Sequence, residues 1–237
     1  MMGFDPLFMI ISVVGLALVF IPQMLVKSTY EKFTKVSSSG NLTGAEIARL
    51  LLEKAGVQNV RVEATSGVLS DHYDPMEKVV RLSDDIYSTK SVSAVSIAAH
   101  EVGHAIQDNR GYLPMRLRAG LFPMVQAGQF LGPILIMIGL GLRFAVNLGG
   151  LTDIIAMIGI LLYASVVIFH LITLPVEINA SQRAIKVLAD GGYIVGEETQ
   201  GAKQVLTAAA FTYIATALYA LIELFYWIWT FFGHRDE

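Results

Sequence analysis

Four long apolar stretches interrupt the chain. They cover residues 7–26, 119–142, 154–174 and 205–231, and they contain almost no charged side chains. A helix needs about 20 apolar residues to cross the hydrocarbon core of a bilayer, and each stretch is at least that long. The pattern therefore predicts four transmembrane helices, with polar segments at residues 27–118 and 175–204 and a hairpin of two spans at residues 119–174.

Composition agrees with a membrane location. The chain has 237 residues, of which 54% are hydrophobic and 16% charged, and this is too apolar for an ordinary soluble domain of that length. Residues 1–5 carry no Lys or Arg, and no small-residue cleavage pattern follows the first stretch. We therefore expect the first stretch to be a retained anchor in the lipid bilayer rather than a removed signal peptide.

The polar segment at residues 27–118 has the pattern of a small α+β domain. A capping box from Thr43 to Glu46 predicts a helix over residues 44–55, and Gly56 ends it. Alternating or β-branched runs predict strands at residues 60–64 and 79–82 and a weaker one at residues 68–70. Asp74-Pro75 predicts a turn, so the sheet should have two or three strands.

Cations indicate which side of the membrane each polar segment occupies. On one side, the cations that flank the first two spans or lie between the third and fourth spans are Lys27, Lys32, Lys35, Arg110, Arg116, Arg118, Arg183, Lys186 and Lys203. Only Arg143 and Arg235 lie opposite. The positive-inside tendency therefore predicts that both segments are cytoplasmic, where together they can build one site. The net charge of −3 and the lack of a basic stripe argue against a nucleic-acid partner.

His100-Glu101-Val102-Gly103-His104 is the strongest chemical signal in the chain. Two imidazoles four residues apart on a helix share one face and can bind one metal ion. The surrounding residues favour a helix that begins near Ser91 or Ser93 and ends near Asp108. The chain contains no cysteine, so the ligands must be nitrogen and oxygen, and this donor set suits Zn²⁺ with one position left open for water.

A third ligand is predicted in the second polar segment. Pro175 can start a helix that runs over residues 176–188 until Asp190-Gly191-Gly192 ends it. Glu177 lies just inside this helix and on the same side of the membrane as the histidines, which makes it the best candidate. The alternative is an N-terminal carboxylate that is merely favoured by the helix dipole.

Other residues are candidates for further roles in the chemistry of the site. Glu101, next to the first histidine, is the candidate general base that takes a proton from zinc-activated water and delivers it to the leaving amine. Ser181, one helical turn after Glu177, is a candidate to hydrogen-bond a ligand. The candidates for stabilising the oxyanion are His72, Tyr73, Arg183 and Tyr193. For His72, the alternative interpretation is a loop histidine that is hydrogen-bonded locally.

Four further features complete the expectations. A substrate peptide can pair with an exposed strand edge, for which residues 79–82 are the candidate. Gly103 can permit close approach of another backbone, although a plain packing role is equally compatible. Glu223, inside the fourth apolar stretch, is interpreted as a structural carboxyl facing Gln126 or Gln129. His170 is interpreted as a polar packing residue.

Several motifs together resemble a known family. They are residues 100–104, Leu174 to Ser181, Asp71 to Pro75 and Gly201 to Leu206, and in combination they resemble the YugP-type membrane zinc metallopeptidases of bacteria. The chain is more distantly similar to HtpX and the CAAX prenyl endopeptidases, which have Asp where this chain has Ser181. The resemblance implies a zincin-like cytoplasmic domain, peptide or protein substrates, and a place in the bacterial cell membrane.

Other functions fit the sequence less well. A catalytically weak, zinc-binding membrane scaffold or chaperone-like protein would not need Glu101. An intramembrane site-two-type protease would carry its histidines inside a span, but residues 91–110 are rich in polar side chains. A transporter would need polar residues along several spans, and only Glu223 and a few glutamines qualify. The sequence therefore favours a membrane zinc endopeptidase.

Overall fold

The computed structural model describes residues 6–145 and 150–233, and the described part is mostly helical. Its elements in chain order are α1 (Pro6–Thr34), α2 (Gly44–Lys54), β1 (Arg61–Thr65), β2 (His72–Asp74), β3 (Val79–Ser83), α3 (Asp84–Ser88), α4 (Val92–Asn109), α5 (Leu113–Ala145), α6 (Gly150–Asp190) and α7 (Glu197–Gly233). Four of these helices, α1, α5, α6 and α7, are long and apolar enough to cross a membrane, which confirms the predicted number.

The chain divides into two compact units. One, which we call the bundle unit, comprises the described parts of residues 1–20, 117–173 and 213–237. The other, the mixed unit, comprises residues 21–116 and 174–212 and contains the sheet. Each long apolar helix contributes residues to both units. The mixed unit therefore contains one end of each of these helices as well as the sheet.

In the bundle unit, glycines let helices α5 and α6 pack closely. A Cβ on Gly139 would lie only 2.5 Å from the backbone nitrogen of Ala156. Glu223 on α7 accepts a hydrogen bond of 2.6 Å from the Tyr163 hydroxyl on α6. This carboxyl therefore bonds to a tyrosine of α6 rather than to the glutamines of α5 suggested by the sequence.

The mixed unit contains a three-stranded sheet in the order β1-β3-β2. Strand β3 pairs in parallel with β1 and antiparallel with β2. The prediction that residues 79–82 form an open edge is therefore wrong, because β3 is the central strand. Val79, Val80 and Leu82 are fully buried, as expected for a strand that is covered on both faces.

The strand predicted at residues 68–70 is also wrong. These residues belong to the loop between β1 and β2, in which Val68 is 75% exposed and Leu69 has a φ of 55°. Strand β2 lies a few residues later and was not predicted. It has only three residues, too few for a two-residue alternation to be recognised.

The helices of the mixed unit begin and end where their capping residues indicate. Thr43 and Glu46 form the predicted capping box at the start of α2, and Gly56, with a φ of 71°, follows its end. The Ser91 hydroxyl accepts a hydrogen bond from the backbone of Ala94 and caps α4, so Ser91 rather than Ser93 is the cap. The Ser91 cap fixes the start of α4, the helix that carries both histidines.

Helix α6 runs without a break through Pro175. The prediction that Pro175 starts a separate helix is therefore wrong, and residues 175–204 comprise the end of α6, a short connection and the start of α7. A proline within a helix removes one backbone hydrogen bond, and here helix-forming sequence on both sides continues the element. The predicted end at Asp190 is confirmed, and Gly192 follows with a φ of 70°.

Candidate metal centre

Helices α4 and α6 bring three predicted ligands together in the mixed unit. The Nε2 atoms of His100 and His104 are 3.2 Å apart. The Oε2 atom of Glu177 lies 3.2 Å from the first and 3.4 Å from the second. Across residues 6–145 and 150–233, this is the one cluster of His or carboxylate side chains with the spacing of a metal site.

These separations fit zinc. Ligand atoms bonded to tetrahedral Zn²⁺ at about 2.0–2.1 Å lie about 3.3–3.4 Å from one another. The three atoms meet this requirement without rearrangement, and two imidazoles with one carboxylate are a common donor set for catalytic zinc with an open fourth position. Glu177 is only 2% exposed, so its carboxylate is already removed from water and directed at the histidines.

Local helix geometry explains how the ligands converge. The four-residue spacing on α4 sets the two imidazole rings edge to face, with centroids 4.7 Å apart. Gly103 lies between them and faces α6, where a Cβ would be 3.0 Å from the Ala180 carbonyl oxygen. The missing side chain lets α6 approach closely enough for Glu177 to reach both rings.

The far nitrogen of each imidazole has its own hydrogen-bond partner. His100 Nδ1 lies 3.1 Å from the Ser181 hydroxyl, and His104 Nδ1 lies 3.0 Å from Gln107 Oε1. Such contacts orient metal-binding imidazoles and leave the other nitrogen for the metal. Ser181 was a candidate for this contact, but Gln107 was missed, although its position three residues after His104 on the same helix was a usable signal.

Charge around the site favours a cation. Burial alone would lower the pKa of His104, but the hydrogen bond with Glu177 and the negative charge of Glu101 raise it overall. Glu101 is 8% exposed and does not belong to the ligand cluster. A bound metal ion would supply the positive charge that these buried carboxylates favour.

Asp71 is a further carboxyl near Glu101 that sequence reasoning did not assign to the site. Burial raises the pKa of Asp71, outweighing the hydrogen bonds that it accepts from the Ser83 backbone and hydroxyl, and the charge of Glu101 adds to the rise. The backbone hydrogen bond is 2.8 Å long and anchors the loop before β2 to the end of β3.

The candidates from strand β2 do not join the ligand cluster. His72 is exposed, and its Nδ1 lies 2.8 Å from the Ser70 carbonyl oxygen, which matches the local interpretation. The Tyr73 hydroxyl donates a 2.6 Å hydrogen bond to Asp108, which Lys78 also contacts at 2.5 Å. The hydroxyl of Tyr73 is therefore committed to the last turn of α4.

The remaining candidates have other partners. Arg183 donates through Nε to Asn179 Oδ1 at 2.7 Å, and the Tyr193 hydroxyl accepts from Lys54 at 2.5 Å. His170 belongs to the bundle unit, where its ring lies against Phe169. None of these side chains is in the cluster formed by the described residues.

Comparison with known proteins agrees with this geometry. Residues 8–232 match a family model described as "Putative neutral zinc metallopeptidase". The chain belongs to this zinc metallopeptidase family. A protein of Bacillus subtilis strain 168 named "Putative membrane protease YugP" is 44% identical over 231 residues, which cover 98% of this chain and 99% of that protein. No solved structure matches the chain.

Family membership identifies the metal of the site as zinc. The family is one of zinc metallopeptidases, and His100, His104 and Glu177 are positioned to bind that metal. The four apolar helices, together with the name of the Bacillus relative as a membrane protease, indicate that this family member is an integral membrane protein.

Proposed function

We propose that the protein is a membrane-embedded zinc endopeptidase that hydrolyses peptide bonds at a juxtamembrane site on the cytoplasmic side. One observation carries the proposal. Three nitrogen and oxygen ligands from α4 and α6 lie 3.2–3.4 Å apart, with a buried glutamate next to the first of them. A protein that only bound zinc would not need that glutamate.

The side chains divide the work of hydrolysis. Zinc bound by His100, His104 and Glu177 would lower the pKa of a water molecule and polarise the scissile carbonyl. Glu101 would accept the proton of the attacking water and pass it to the leaving amine. Its position directly after His100, without being one of the ligands, leaves its carboxylate available for this proton transfer.

A substrate would bind in an extended conformation along a sheet edge. Since β3 is central, the open edges belong to β1 and β2. We favour β2, because the Tyr73–Asp108 hydrogen bond connects this strand directly to the helix that carries His100 and His104. A peptide paired with β2 would lie beside the ligand helix.

The cytoplasmic placement rests on the distribution of cations. Contacts that join the two polar segments within the mixed unit support a shared side of the membrane for both. Glu198 accepts hydrogen bonds from the Ser39 backbone at 3.0 Å and the Ser39 hydroxyl at 2.6 Å. Residues before the second span and after the third therefore belong to one folded unit, as a shared side of the membrane requires.

The decisive experiment compares the wild type with Glu101→Gln. Both proteins are purified in detergent, their zinc content is measured, and their cleavage of an unbiased peptide library is profiled. We expect equal zinc content but a loss of hydrolysis by several orders of magnitude in the variant, because the proton acceptor is gone. Glu53→Gln, an exposed change on α2, is the matched control and should retain full activity.

Two outcomes would contradict the proposal. Near-wild-type hydrolysis by a clean Glu101→Gln preparation would remove the general-base role. Full zinc content with no cleavage by the wild type would favour the zinc-binding scaffold instead.

A further inference from the structure

A row of four polar side chains runs from Arg183 through Asn179 and Gln107 to the metal ligand His104. Arg183 Nε donates to Asn179 Oδ1 at 2.7 Å, and Gln107 Nε2 donates to the same oxygen at 3.1 Å. The other end of the Gln107 amide, Oε1, lies 3.0 Å from His104 Nδ1. The row joins helices α4 and α6 next to the zinc ligands.

The hydrogen-bonding capacity of each group fixes the direction of the row. A guanidinium can only donate, so the side of Asn179 that faces Arg183 must be its oxygen. That oxygen then requires a donor from Gln107, as does the Val176 carbonyl oxygen, which lies 2.8 Å from Gln107 Nε2. Both contacts therefore orient the Gln107 amide with its NH₂ group toward α6.

The orientation of Gln107 in turn fixes the proton on the histidine. With its NH₂ end bound to α6, Gln107 presents only an oxygen to His104, and an oxygen must be given a hydrogen by Nδ1. The lone pair of the neutral ring then lies on Nε2, which is the atom that faces the other ligands. Gln107 is 1% exposed, so water does not compete for these bonds.

We propose that Arg183, Asn179 and Gln107 form a polarity relay that holds His104 in the tautomer that binds zinc. Arg183 is thus a positioning residue of the metal site, and its influence reaches His104 through two amides. The inference rests on the proposed zinc site but not on peptidase activity.

The other histidine has no such relay. His100 Nδ1 faces the Ser181 hydroxyl, and a hydroxyl can either donate or accept. Ser181 therefore orients the ring of His100 without selecting its tautomer. Loss of Gln107 should consequently weaken zinc binding more than loss of Ser181 does.

The relay is tested by zinc affinity, measured by competition with a chelator on the full-length protein in detergent without substrate. We expect Gln107→Met to weaken zinc binding about 10- to 100-fold, in the range typical of lost orienting contacts, and Arg183→Met roughly tenfold. Asn179→Asp should retain wild-type affinity, because a carboxylate accepts both hydrogen bonds, whereas Asn179→Leu should not. Lys186→Met, on the same helix and paired with Asp190, is the matched control and should have no effect.

Non-additivity distinguishes a relay from general loosening. Adding Arg183→Met to Gln107→Met should cause no further loss of zinc affinity, because Arg183 affects His104 only by orienting the amide of Gln107. Additive losses, unchanged affinity in Arg183→Met, or equal damage from Asn179→Asp and Asn179→Leu would overturn the proposal. If Gln107→Met fails to fold, the variants at Asn179 and Arg183, which are less buried, still decide it. Because zinc binding is measured without substrate, failure of the relay is separate from failure of the peptidase proposal.

Discussion

At the scale of single residues, Glu177 and Ser181 lie one helical turn apart on α6 but contact the site differently. Glu177 Oε2 faces both imidazoles, whereas the Ser181 hydroxyl contacts only the far nitrogen of His100. Glu177→Ala should therefore reduce zinc occupancy sharply, while Ser181→Ala should cost roughly tenfold in affinity. Zinc titration of both variants in detergent measures the difference, and full affinity in Glu177→Ala would assign the third ligand to another residue.

Tyr73 offers a second test at this scale. Its hydroxyl is bonded to Asp108, so Tyr73→Phe should lower the free energy of unfolding by about 1.5–3 kcal/mol, the usual value for a hydrogen bond to a charged group. Peptidase activity per folded molecule should not change. Denaturant unfolding and a peptide assay check both points, with Tyr112→Phe as a control. A large loss of turnover at unchanged stability would return Tyr73 to the role of oxyanion donor.

Residues of the site differ in how far the sequence reveals them. His100 and His104 are recognisable because helical periodicity alone places them on one face. Gln107 and Asn179 are not, because their contact joins residues 72 positions apart and exists only when α4 packs on α6. Side chains that support ligands therefore become visible only with the tertiary structure.

At the scale of elements, the approach of α4 to α6 depends on Gly103. A Cβ there would lie 3.0 Å from the Ala180 carbonyl oxygen, so Gly103→Ala requires a shift of a few tenths of an ångström, and Gly103→Val requires more. We expect zinc affinity to fall in the order Gly, Ala, Val, because the shift moves Glu177 away from the histidines. Gly120→Ala on α5, where a Cβ meets no atom within 4 Å, is the control and should leave affinity unchanged. Equal affinity in Gly103→Val and the wild type would show that this contact does not set the ligand spacing.

The elements themselves were predictable where local chemistry decides them. The capping box at Thr43 and the serine cap of α4 are local signals, and both helices begin accordingly. Strand order is not local: the apolar run at residues 79–82 predicts a strand but does not reveal that β1 and β2 pair with its two edges. Likewise, Pro175 is a strong breaker by propensity, but α6 continues through it.

At the scale of the whole molecule, the predicted topology can be tested with introduced cysteines, since the chain has none of its own. Cysteines at the exposed positions Lys35 and Glu197 should both react with an impermeant thiol reagent from the cytoplasmic side. A cysteine at Asn147, which lies outside the described residues, should react from the opposite side. Labelling of Lys35→Cys and Glu197→Cys from different sides would exclude the proposed arrangement.

The apolar stretches alone predict the four long helices, because a helix that crosses a bilayer must be long and apolar and both properties can be read from the sequence. They do not predict that each helix extends beyond its apolar stretch into the mixed unit, as α6 does when it carries Glu177. Those extensions continue the helical hydrogen bonding, so no change in backbone conformation marks the predicted boundary.

The shortness of β2 has a consequence for which chains the proposed site would accept. Three strand residues span about 10 Å, so the open edge offers backbone pairing to roughly three residues of a partner. Backbone pairing does not depend on side-chain identity. A chain would then be selected by whether it can present a short extended stretch, and hence by the free energy needed to unfold it locally. Damaged or unassembled proteins, whose segments are already loose, would be degraded ahead of intact ones.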